Sequence, residues 1–161
     1  MKKLLLVAVS ALALASCKKE PTLADKLEGT WLVNDITASG TVNIPTIGVM
    51  PIVASDKTIA ATSLFTMVQE PNSVNYAIDA ELEVVAGAMT IPFPWQQMGS
   101  GSWSTKEGGD YDSVIVEDLS GTITRYSVFI GETSMILKTK ASITTPAEGT
   151  LDFTFSLVKQ Q

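Results

Sequence analysis

Ser73 to Val85 reads SVNYAIDAELEVV. Val74, Tyr76, Ile78, Ala80, Leu82 and Val84 alternate with Asn75, Ala77, Asp79, Glu81 and Glu83. Successive side chains of a strand point to opposite faces, so this period of two describes a strand with one apolar, buried face and one acidic, wet face. Leu151, Phe153, Phe155 and Leu157 alternate in the same way with Asp152, Thr154 and Ser156 near the carboxyl end. Phe153 and Phe155 should therefore point inward together.

Between these two anchors, strand signals recur. Thr30 to Ala38, Thr58 to Val68, Gly101 to Lys106, Ser113 to Glu117, Thr122 to Ile130 and Ser134 to Ala141 are rich in Thr, Ser and β-branched residues. KEGGDYD, LSG, IGET and PAEG supply the turns that punctuate them. The single helical candidate, Leu23 to Glu28, is a turn or two long. No fixed-period repeat suggests a propeller or solenoid. The pattern predicts an all-β fold of about eight antiparallel strands with short connections, as a sandwich or an up-and-down barrel.

The amino terminus has a different character. Met1-Lys2-Lys3 precedes an apolar run from Leu4 to Ala15, interrupted only by Ser10. A basic start followed by a short apolar stretch is the pattern of a secretory signal. The stretch is shorter than the ~17 residues a helix needs to span a bilayer. Leu14-Ala15-Ser16-Cys17 resembles the bacterial lipobox and contains the chain's single cysteine. The resemblance implies that Cys17 receives a diacylglycerol and that cleavage before it makes it the new amino terminus, usually with a third acyl chain (palmitate or a similar one), and two or three acyl chains make a stable anchor. Residues 1–16 are then a lipoprotein signal peptide, 17–25 the acylated cysteine and its tether, and 26–161 the β domain. About 145 mature residues suit one domain with its own core, and without another cysteine that core has no disulfide to support it. Lys18-Lys19-Glu20 resembles the signals that carry lipoproteins of the Bacteroidota to the cell surface. The expected location is the outer membrane, on its periplasmic face or at the cell surface.

Composition narrows the function. The chain carries 17 acidic and 11 basic residues for a net charge of −6, and cleavage before Cys17 would remove Lys2 and Lys3 as well. An acidic domain with no basic block is unsuited to nucleic acid. There is no histidine, so the usual catalytic base and commonest zinc ligand are missing. Asp79, Glu81 and Glu83 read as a solvated strand face. Glu107, Asp110 and Asp112 in EGGDYD read as a turn, because hairpins favour Gly and Asp for backbone reasons. The expectation is a non-enzyme with no cofactor and no metal site.

KLEGTWLVNDIT places Gly29-Thr30-Trp31 at the head of the first strand, which resembles the Gly-x-Trp signature that opens lipocalins. GSGSWSTKEGGDYDSVIVED and TITRYSVFIGETSMILKTK are similar to the second half of lipocalin-like lipoproteins of the Bacteroidota. The resemblance implies a single up-and-down β-barrel. Trp31 would be either a packed plug at one barrel end or part of a cavity floor, and Trp103 core or barrel closure. NIPTIGVMPIV follows the first strand, and in lipocalins the loop at that place folds across the barrel mouth. Ile44 to Val53 would then be a lid, while TIPFPWQQMG reads as a second irregular apolar stretch. The expected ligand contacts are Trp31, Ile47, Met50 and Trp95. Two functions follow from this reading. One is a lipid-bilayer-anchored module that holds a small apolar ligand; the other is a structural or interaction lipoprotein with a filled barrel whose loops meet another envelope protein.

Overall fold

The computed structural model describes residues 20–45, 48–143 and 148–160, and the statements below concern those residues. The chain forms one antiparallel sheet of nine strands. They are β1 (Gly29–Ile44), β2 (Gly48–Ile59), β3 (Leu64–Val68), β4 (Ser73–Ala86), β5 (Met89–Lys106), β6 (Ser113–Asp118), β7 (Ile123–Ile130), β8 (Ser134–Ile143) and β9 (Glu148–Lys159). Each strand from β3 onward pairs with the next, and β9 returns to β1 along Trp31 to Asn43, so the sheet closes into a barrel-like ring. Closure leaves few of the unpaired edges that invite aggregation.

The wall has one joint. β3 pairs with the first residues of β1, Gly29 to Leu32, and with Ser73 to Ala77 of β4. β2 pairs with Thr37 to Ile44 of β1 and with Ala80 to Ala86 of β4. β2 and β3 therefore lie end to end in a single wall position. Side chains and turn residues satisfy the backbone where neither strand reaches. The Ser63 hydroxyl donates to the Asp79 carbonyl at 3.0 Å and accepts from the Asp79 N–H at 2.9 Å. Across the joint, Val33 N–H donates to the Ser63 carbonyl and Ile36 N–H to the Asp56 carboxylate, both at 2.9 Å.

A register shift between Val33 and Asp35 marks a bulge in β1. One extra residue moves the inward face from odd to even positions: Trp31 and Val33 are buried before it, and Ile36, Ala38 and Val42 after it. β4 keeps one parity throughout, with Val74, Ile78, Ala80, Leu82 and Ala86 buried. On β9, Phe155 is buried and Phe153 half-buried against the same core, so both point inward as their alternation requires.

One end of the ring is closed by α1 (Leu23–Leu27), a single turn held by a capping box. Thr22 accepts from Asp25 N–H, and the Asp25 carboxylate accepts from Thr22 N–H at 2.8 Å. Leu23 and Leu27 are buried against the main core. Trp31 is fully buried beneath them, its indole N–H donating to the Leu27 carbonyl at 2.8 Å. Trp103 is packed at the same end, with its N–H on the Val68 carbonyl at 2.9 Å. Both tryptophans meet the need of a buried indole for an acceptor.

Three sequence expectations change. Ile44 to Val53 is not a lid: Thr41 pairs with Pro51 and Ile44 with Gly48, so the described residues of this stretch form a hairpin that lengthens the wall. TIPFPWQQMG is regular strand, the first half of β5. Thr58 to Val68 is divided between the end of β2 and β3 by the turn around Ser63.

Candidate functional site

The end of the ring opposite α1 holds an apolar cleft. β6 pairs only with Gly101 to Lys106 of β5, and β7 pairs only with Met135 to Lys138 of β8. Both stop partway up the wall. Above them, Met89 to Ser100 of β5 pair with β4 alone, and Thr139 to Ile143 of β8 pair with β9 alone. The wall thus has a side gap between β5 and β8, and the interior behind it is uncovered.

That interior is apolar. The cleft has a volume of about 230 Å³ and is lined from β1, β2, β4, β5 and β9, with Ala38, Ala54, Ala86, Phe93, Trp95 and Phe153 among its walls. Every lining side chain is a hydrocarbon or aromatic group. Its space comes from small residues at inward positions, since Ala38, Ala54 and Ala86 are buried yet fill little volume. An aromatic layer forms the floor. Trp95 stacks on Phe153 at 5.5 Å and approaches Phe155 at 5.9 Å. Beneath it Phe65 meets Phe155 at 6.2 Å and Tyr76 at 5.5 Å. Tyr76 reaches this layer because Gly99, its neighbour on β5, has no Cβ; one there would occupy the place of the tyrosine ring. At the gap, Ile91 and Phe93 face the cleft but stay 49% and 48% exposed.

The residues expected to contact a ligand are distributed unevenly. Trp95 lines the cleft. Met50 packs on the apolar cluster around it without lining it. Trp31 belongs to the closed end, below the aromatic layer, and takes the plug position; it is not a cleft residue. Ile47 and Cys17 lie outside the described residues. The residues that sequence reasoning missed are the alanines and Ile91, Phe93 and Phe153. Alanine and glycine at inward parity (Ala38, Gly40, Ala54, Ala86) were the available signal.

The ionisable groups sit elsewhere. Glu107 accepts from Leu23 N–H at 3.2 Å and Asp112 from Gly108 N–H at 3.1 Å, so these carboxylates fix a turn. Asp118 caps the β6–β7 turn by accepting from Ser120 and Thr122, which holds its carboxyl below the usual range. Asp35 lies on the joint beside Asp56; partial burial and then the Asp56 charge raise its pKa. Burial, with a smaller effect from Tyr76, pushes Tyr126 up to about 12. Among the described residues no cluster of three or more His, Cys, Asp or Glu could hold a metal ion.

Fold and site together define a small all-β protein, a ring-closed antiparallel sheet with one packed end and one apolar, side-opened end. No protein-family model, curated protein or solved structure matches the chain.

Proposed function

We propose that this is a lipid-anchored bacterial lipoprotein, of the lipocalin-like kind its Gly29-Thr30-Trp31 start resembles, whose ring holds a small apolar ligand. The observation that supports binding is the cleft itself. Ligand sites are concave and mostly apolar, and Ile91 and Phe93, half exposed beside a void walled only by apolar groups, remain in water unless something covers them. Anchoring rests on Leu14-Ala15-Ser16-Cys17. Trp95 forms part of the floor, so a bound hydrocarbon would lie against its indole and alter its emission. Farnesol and hexadecanol are suitable probes. Titrated into the full-length protein they should shift tryptophan emission saturably, and Trp95→Phe should remove most of the shift. A spectrum unchanged by either probe would remove the binding reading. For the anchor, the membrane fraction should yield a lipid-modified peptide beginning at Cys17.

A further inference from the structure

The cleft has no polar group to hold a ligand's head, yet an unpartnered cation stands on the outer face of the wall at the corner of its side gap. β7 and β8 part beyond the paired residues Ser127 and Lys138. The last tie between them is the Thr139 hydroxyl, donating to the Arg125 carbonyl at 2.9 Å. Arg125 therefore stands at the lower corner of the gap, exposed, and it is the chain's one arginine. Its guanidinium has no ion pair or hydrogen bond among the described residues. A surface groove runs from it past Lys138, Thr139 and Lys140, and Ala38 and Phe153 line both this groove and the cleft.

The neighbouring charges favour an anion at that corner. Lys138 lies over the Phe129 ring at 5.3 Å and adds positive charge. Lys140 is engaged with Asp152 at 3.4 Å, an exposed pair, and exposed pairs bind each other weakly. The Asp118 carboxylate is occupied by its own turn, and the one other carboxylate on that side of β6 is the exposed Glu117, opposite Ile123 and two residues from Arg125's partner Ile115. The opposite rim, Met89 to Thr105 of β5, contains no charged residue. The acidic outer face of β4 (Asp79, Glu81, Glu83) belongs to the far side of that strand. In a chain of net charge −6, Arg125, Lys138 and Lys140 thus stand together beside the gap, while Lys26, Lys57, Lys106 and Lys159 lie elsewhere.

The β5 edge of the gap also disfavours one kind of occupant. An exposed strand edge can template a guest peptide strand, but β5 carries Pro92 and Pro94 along its partnerless half. Both have the same parity, so both missing N–H groups fall on one edge, and proline is tolerated in sheets where no neighbour needs that donor. The β5 side of the gap offers a guest strand few donors. Its occupant needs an apolar body and no backbone.

We propose that the cleft takes the hydrocarbon chain of a single-chain anionic amphiphile, whose carboxylate or phosphate head leaves through the gap between β5 and β8 to bind Arg125. This rests on the apolar-ligand reading above and specifies the ligand's head and its path. A guanidinium can grip either anion with two parallel hydrogen bonds.

The test uses four probes of equal chain length on the full-length protein: hexadecanoate, hexadecyl phosphate, hexadecanol and hexadecyltrimethylammonium, each below its micellar concentration. At least one anion should bind about tenfold tighter than the alcohol, as one charge-assisted hydrogen-bonded contact would give. The tighter anion identifies the head. Arg125→Gln should bring anion affinity down to that of the alcohol and leave the alcohol's unchanged. Equal binding of anions, alcohol and cation overturns the head assignment while leaving the cleft reading intact, as does an anion preference that survives Arg125→Gln. If none of the four binds, both readings fall.

Discussion

At the closed end the inward positions of β1, β4, β5 and β9 carry Trp31, Val74, Trp103 and Leu157; toward the open end the same strands carry Ala38, Ala86, Ile91 and Leu151. Backbone geometry is common to both ends, and both lie in one continuous sheet. Side-chain volume and the shortness of β6 and β7 separate them. A small ring can be packed solid or leave an interior space, and this chain does each in a different half. The aromatic layer of Trp95, Phe153, Phe155, Phe65 and Tyr76 is the boundary.

The contrast is tested most severely by truncating one large side chain at each end. Trp31→Ala removes a fully buried ring and its bond to Leu27, and should cost about 3–5 kcal/mol in urea unfolding. Phe93→Ala, at a half-exposed site, should cost below about 1 kcal/mol and instead weaken hexadecanol binding. Comparable losses of stability from the two variants would mean that the open end is as tightly packed as the closed one.

The joint between the halves should show an intermediate effect. Ser63→Ala leaves the Asp79 N–H without its buried acceptor and the Asp79 carbonyl with only the Ala60 N–H. The expected loss is about 1–3 kcal/mol, with ligand affinity unchanged. A neutral result would show that water replaces the hydroxyl and that the joint is wet.

Asp35→Asn should give the smallest effect, and its sign depends on pH. The folded state raises the Asp35 pKa, chiefly by desolvation and then by repulsion from Asp56. A carboxyl with a raised pKa favours the fold in its protonated form. That contribution is present below the unfolded value, about 3.9, and is lost as pH rises through the folded value. Asn, uncharged at every pH, should therefore raise Tm at neutral pH and lose its advantage in acid. A variant less stable than the parent at neutral pH would show that the carboxylate's bond to Ser156 outweighs the repulsion.

Sequence periodicity revealed most where one parity holds throughout. β4 repeats its apolar face without a break, and β9 displays Phe153 and Phe155 on one side; both were legible. β1 was legible only to Ala38, because the bulge near Asn34 shifts the inward parity and the small inward residues Ala38 and Gly40 give a weak apolar signal. Pro51 in β2, and Pro92 and Pro94 in β5, made strands resemble loops. Proline argues against a central strand, but half of β5 is an edge, and that became clear only once β6 was seen to be short. The tandem placement of β2 and β3 depends on Ser63 and Asp56, polar residues whose role is set by distant backbone. Trp95 was found at the cleft because aromatic residues draw attention. The alanines that make its space do not.

The end-to-end joint in the wall has a consequence for how this protein can change length. Because β2 is paired only with the outer halves of β1 and β4, residues added to the β1–β2 hairpin beyond Thr37 and Ser55 leave every pairing of β3 untouched. An insertion of one residue in each arm would exchange inner for outer side chains from that point to the tip, whereas two in each arm would preserve the faces. The rim can therefore grow by pairs of residues, lengthening the wall at this hairpin by about 7 Å at each step, while the plugged end keeps its register.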